Sequence, residues 1–194
     1  MNVRTLGFIT FAGAPAMLVV GFLEGFQRTL NTDTTLASAT GYLVFAVGWL
    51  ASVLALRALY ATGRSPAGRI MVSLPLLTIP LAAMQSVLDM FFPQLIDRHF
   101  LYIVTDIAWP LSMVLSFGVG IAALFARELP GWKRAVPLLC GAGLPTGILT
   151  HLLLGEQAAG VIFPVQVALS WTLLGLVLVS LAPRHATPQF RAAH

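Results

Sequence analysis

The sequence is poor in charge. Only 9% of its 194 residues are Asp, Glu, Lys or Arg, against roughly a quarter in soluble domains, which excludes an ordinary water-soluble fold. There is one lysine, Lys133. A retinal Schiff base needs a lysine within a span, and Lys133 sits at a span boundary, so a retinal photoreceptor is excluded. There is also one cysteine, Cys140, which leaves no internal disulfide and no C-x-x-C redox or zinc pair. The eleven basic residues, giving a net charge of +4, are scattered over short connections rather than gathered into a stripe, so no nucleic-acid face is expected.

Catalytic and cofactor signatures are missing as well. The chain has no G-x-S-x-G elbow, no phosphate-cradling P-loop and no H-E-x-x-H. Haem held by two histidines needs both at membrane depth, whereas His99 precedes its helix and His185 and His194 lie in the tail. Zinc would have to be assembled from His99, His151 and Asp89 or Asp106, with no clustered spacing to favour it. The Pro-x-[Asp/Glu]-x-x-[Lys/Arg] pattern of mitochondrial carriers does not occur. No cofactor or metal is expected.

What the chain has is apolar length. It is 58% hydrophobic, with a mean hydropathy of +0.88. Crossing about 30 Å of hydrocarbon takes roughly 20 residues of helix, and six runs of that size occur, over 5–24, 40–60, 70–92, 100–126, 135–154 and 161–182. They are continuous, without the ten-residue alternation of barrel strands, so helices are expected. Gly, Pro, Ser and Asp mark the turns between them. The expectation is an all-α integral membrane protein, a bundle of six transmembrane helices forming one domain over 1–182, with a short cytoplasmic tail over 183–194. The small residues around Ala12–Ala16 could pass for a signal-peptide cleavage site. The apolar stretch continues through Leu23, however, so the first run is expected to be retained.

Positive charge orients the bundle, because cytoplasmic loops carry the excess of Lys and Arg. Arg4, Arg57, Arg64, Arg69, Arg127, Lys133, Arg134, Arg184 and Arg191 fall on one side, and Arg28 and Arg98 on the other. Both termini are therefore expected in the cytoplasm, with Arg57 snorkelling to that surface. Glu24, Asp33, Asp89, Asp97, Asp106 and Glu156 fall on or near the outer side, and Glu128 inside. Brevity, arginine bias and the lack of a targeting segment point to the plasma membrane of a bacterium, the inner membrane.

Pro15, Pro80 and Pro145 recur at intervals of 65 residues, each in the first helix of a helical hairpin. Leu23, Leu88 and Leu153 keep the same spacing. Three repeated hairpins would give this period, and so would six evenly spaced spans of any origin. Prolines at 15, 75, 80, 110, 137, 145 and 164 fall in five of the six runs, leaving the second free of them, and each frees a backbone carbonyl. Gly21-x-x-x-Gly25 and Gly143-x-x-x-Gly147 are candidates for close helix approach.

Polar side chains inside hydrocarbon are costly and mark candidate sites. Gln85, Asp106, His151 and Gln166 lie between about 5 and 10 Å inward from the outer ends of the third to sixth runs, at the helical rise. They are expected to converge on an outward-facing pocket. Asp89 lies one turn from Gln85, Tyr102 one turn from Asp106 and Ser170 one turn from Gln166. Asp106 is expected to face the bundle, with His151 as its partner. The candidate ligand-binding set is thus Gln85, Asp89, Tyr102, Asp106, His151, Gln166 and Ser170. Glu24 and Glu156 are expected to be solvated surface acids.

Three functions fit. The first is binding or moving a small solute, ion or lipid through that pocket. The second is an accessory or scaffold subunit that packs on a membrane-protein partner. The third is an intramembrane enzyme with an Asp–His site, ranked last because no nucleophile or metal completes the set.

Overall fold

The computed structural model describes residues 2–26, 35–92 and 99–182, and every regular element among them is helical. Short polar side chains start four of the helices. Asn2 accepts from the Arg4 amide, Thr35 from Ser38, Ser65 from Gly68 and His99 from Leu101, each satisfying a donor that the first turn leaves open.

Five segments are long and apolar enough to cross a membrane. They are α1 (Val3–Gly13) with α2 (Ala16–Leu23), α3 (Leu36–Ala58), α4 (Pro66–Ser73) with α5 (Pro75–Phe91), α6 (Phe100–Ala126), and, last in the chain, α9 (Glu156–Leu181). Between α6 and α9, a 3-10 turn (Gly131–Ala135) leads into α7 (Val136–Gly141) and α8 (Gly143–Leu154). These two helices meet at a bend of 56°. This is a multi-pass membrane protein. The sequence leads one to expect a single helix over 135–154. It breaks because Pro145 has no N–H for the Gly141 carbonyl, and Gly141, Ala142 and Gly143 offer little side-chain packing to hold the turn together.

Continuity alternates along the chain. The first and third of these segments are interrupted, at Ala14–Pro15 and at Leu74–Pro75, as the α7–α8 pair is at Ala142, while α3, α6 and α9 run unbroken for 23, 27 and 26 residues. Pro110 and Pro164 lie inside α6 and α9 without ending them.

Each segment packs on its neighbours in the chain, and α9 returns to lie along α1 and α2, which closes a ring. Glycine sets the tightest approaches. A Cβ on Gly13 would sit 3.0 Å from the Gly48 Cα, and one on Gly7 only 2.8 Å from the Val179 amide nitrogen. Backbones therefore touch where α1 meets α3 and α9. Of the two glycine pairs singled out from the sequence, Gly143 and Gly147 do face a neighbour, both lying under the Phe163 ring, whereas Gly25 has no heavy atom of a neighbour within 4 Å of a Cβ built there.

Aromatic side chains fill the centre of the ring. Phe45 and Trp49 of α3 are each 1% exposed. Phe45 stacks on Trp109 of α6 with 6.3 Å between ring centroids and meets Trp171 of α9 edge-on at 5.4 Å, and Trp49 contacts both tryptophans. The Trp49 indole donates to Ser116 Oγ at 3.0 Å, which satisfies its polar edge inside the core.

The two ends of the bundle differ in charge. Gly7 beside Val179 sets the start of α1 next to the end of α9. Lys133 Nζ donates to Ser180 Oγ at 2.9 Å, and Arg64 lies 3.8 Å from Glu128, so the connections after α3 and α6 share that end. Every lysine and arginine among the described residues belongs to it. The opposite end gathers Glu24, Asp89, Asp106 and Glu156. The tail over 183–194 and the acids Asp33 and Asp97 lie outside the described residues.

Candidate functional site

Helices α5 and α6 run antiparallel, and hydroxyl, amide and carboxyl groups pair across them in register. Ser112 Oγ donates to Thr78 Oγ1 at 2.7 Å. Further toward the acidic end, the Thr105 hydroxyl bonds Gln85 Oε1. One turn beyond, the Tyr102 hydroxyl donates to Asp89 Oδ1 at 3.1 Å, and Gln85 Nε2 donates to the same oxygen at 3.1 Å. Such pairs hold apolar helices together where lipid offers no alternative partner. The inner steps are closed: Gln85 is 5% exposed and Thr105 fully buried. The outermost step is open. Asp89 is half-buried, and its Oδ2 has no hydrogen-bond partner among the described residues.

Three of the seven candidates, Gln85, Asp89 and Tyr102, are thus brought together. Thr105 completes the group, although the sequence reading did not select it. Asp106 is displaced from its expected place: it is exposed on the outer face of α6. The inward stripe of α6 is Thr105, Ala108, Ser112, Ser116 and Val119, spaced by three and four residues, and Asp106 falls off it. That stripe of small and hydroxyl residues is visible in the sequence and is the signal that would have found Thr105.

His151 does not join the group either. It is exposed on α8 beside the exposed Leu152, Leu153 and Leu154, while Thr150 next to it turns inward. No Asp106–His151 ion pair forms among the described residues. Gln166 sits deeper than the sequence implies, because α9 begins at Glu156 rather than 161. Ten residues of helix place it roughly 15 Å from the start of α9. There its Nε2 donates to the Leu139 carbonyl at 2.8 Å, close to the break between α7 and α8. Ser170, a turn further on, donates to the Val167 carbonyl at 3.1 Å. Both serve local backbone rather than a pocket shared with Asp89.

Glu24 is more than a solvated surface acid, because Tyr42 of α3 donates to it at 3.1 Å. No three His, Cys, Asp or Glu side chains gather among the described residues. A cavity of about 410 Å³ lies at the basic end where α3 leads into α4, and one of about 430 Å³ lies along α9 beside Leu139 of α7, with Gln166 and Ser170 in its lining. Neither includes the aromatic centre. Comparison of the chain with protein-family models, with curated proteins and with solved structures returns no match.

Proposed function

We propose that the protein crosses the bacterial plasma membrane six times as three hairpins, with both termini in the cytoplasm, and binds a small cation or protonated amine at Asp89 on the outer side. The bent α7–α8 pair counts as the fifth crossing. The bonded Lys133 and Ser180 support this, since they tie the start of that segment to the far end of α9 while a single residue, Gly155, joins the other ends. The nine-to-two split of basic residues supports the orientation.

The observation that carries the binding reading is the open Oδ2 of Asp89. Two donors orient the carboxyl group through Oδ1, and Asp106 adds a second negative charge nearby. The described residues at this end supply no lysine or arginine. An oriented carboxylate with a free oxygen and a neighbouring acid favours a cationic ligand. The aromatic packing of the centre favours holding that ligand over conducting it through the bundle axis. The same sealed centre also favours the second reading, an accessory subunit of a membrane complex that binds no solute.

A cation panel separates the two. Thermal unfolding of the detergent-purified protein is followed in sodium, potassium, calcium and methylammonium chlorides, with N-methylglucamine chloride at equal ionic strength as the bulky control. A ligand at a hundredfold excess over its Kd stabilises by about 2.7 kcal/mol, so one of the small cations should raise the midpoint above the control. Identical midpoints throughout would leave the subunit reading in its place.

A further inference from the structure

We propose that the basic end of the bundle holds a binding site for a phosphate-bearing anion, gripped by Arg57 from α3 and Arg69 from α4. The site lies at the opposite end from Asp89 and is independent of it. The two arginines line the same cavity of about 410 Å³, together with Tyr60, Thr62 and the apolar Leu54 and Val72.

The local chain builds this arrangement. Helix α3 ends with the Ala61 amide bonded to the Leu56 carbonyl at 2.9 Å and the Tyr60 amide to the Arg57 carbonyl at 3.1 Å. That pattern places Tyr60 at the left-handed position after the helix, with φ 52°, where glycine is the usual residue. A tyrosine held there against steric cost has its ring beneath two guanidinium groups, Arg64 at 5.6 Å and Arg69 at 5.7 Å from the ring centre. Cation–π contact fixes the direction of a guanidinium without using its N–H donors. The next turn is closed by Thr62, whose hydroxyl donates to the Gly68 carbonyl at 2.6 Å, and this brings the start of α4 back against the end of α3.

Charge then defines the ligand. Among the described residues Glu128 is the one acid at this end, and it lies against Arg64. Arg57 and Arg69 have no ion pair and no side-chain hydrogen bond among the described residues. Two exposed, unpaired forks converging on one cavity match the paired oxygens of a phosphate. The floor of Leu54 and Val72 and the position of the cavity at the helix ends suit the headgroup of an anionic lipid, and basic pockets between membrane helices hold such headgroups. A free or soluble phosphate would use the same donors.

The test uses the full chain, delipidated in detergent. Thermal unfolding and native mass spectrometry follow the addition of phosphatidylglycerol, cardiolipin, phosphatidylcholine or millimolar inorganic phosphate. Preference for phosphatidylglycerol and cardiolipin over phosphatidylcholine identifies a lipid headgroup, and stabilisation by inorganic phosphate alone identifies a soluble anion. In either case Arg57→Gln/Arg69→Gln should weaken binding on the order of thirtyfold, and each single variant roughly fivefold, at the usual worth of one basic contact. The single variants give the answer should the pair fail to fold. Arg127→Gln/Arg134→Gln, at the same end and outside the cavity, should bind as wild type. The proposal is overturned if phosphatidylcholine matches phosphatidylglycerol and phosphate has no effect. It is equally overturned if the Arg127/Arg134 variant loses as much as the Arg57/Arg69 variant.

Discussion

Lys133 and Ser180 meet through a 2.9 Å hydrogen bond between side chains 47 residues apart. Gly155, at φ 88°, joins α8 to α9 by itself at the other end of that stretch. The bent pair therefore lies beside α9 over its length. The proposed fifth crossing rests on this arrangement.

Cysteine labelling tests the resulting topology. In a Cys140→Ala background, single cysteines at Asn31, Gln94 and Gln157 should react with a membrane-impermeant thiol reagent applied from outside, and those at Ser65 and Gln189 should not. Gln157 is the decisive position for the fifth crossing. Labelling of Gln157 from the cytoplasmic side alone would make α7 and α8 re-entrant, and labelling of Ser65 from outside would reverse the whole orientation.

The Trp49–Ser116 bond should be worth more than a surface contact of the same length. Ser116→Ala leaves a buried indole N–H unpaired and should cost about 1 to 3 kcal/mol. Trp49→Ala also opens a cavity in the aromatic centre and should cost about 3 to 5 kcal/mol. Reversible unfolding in mixed detergent micelles measures both, and equal losses for the two variants would mean that the ring contacts contribute little.

Thr105→Val and Asp106→Asn alter adjacent residues of α6, the first buried and the second exposed. The first strands the buried Gln85 Oε1 and should destabilise by about 1 to 3 kcal/mol. The second changes an exposed group and should stay within about 0.5 kcal/mol. The same unfolding assay compares them, and a reversed order would place Asp106, not Thr105, against α5.

The contrast between these neighbours shows what could be read from the sequence. Membrane character and helix type follow from run length and charge density, and α6 occupies the expected residues, 100–126. Gln85, Asp89 and Tyr102 were accessible because one hairpin supplies all three and its register is local. Asp106 and His151 were misplaced because depth along a helix says nothing of direction around it. Only the stripe of Thr105, Ala108, Ser112 and Ser116 encodes direction. The aromatic centre draws Phe45, Trp49, Trp109 and Trp171 from three helices, and no local pattern links residues so far apart.

Close backbone contact predicts a further sensitivity. Gly48→Leu would drive a side chain into α1, where a Cβ alone already reaches the Gly13 Cα at 3.1 Å. Overpacking of this kind should cost about 1 to 3 kcal/mol or more, whereas Gly131→Leu would meet no neighbouring atom within 4 Å of its Cβ. Because Gly131 has φ 57°, that control should lose only about 1 kcal/mol from backbone strain. Thermal midpoints of the two variants provide the comparison, and a larger loss at Gly131 would contradict the α1–α3 packing.

Binding at Asp89 is measured most directly by isothermal titration of the purified protein with methylammonium chloride at fixed ionic strength. Wild type should give a saturable heat. Asp89→Asn, which keeps the shape of the side chain and removes its charge, should abolish that heat while the protein remains folded, and Asp106→Asn should weaken binding without abolishing it. A saturable heat undiminished in Asp89→Asn would contradict a site at that carboxylate.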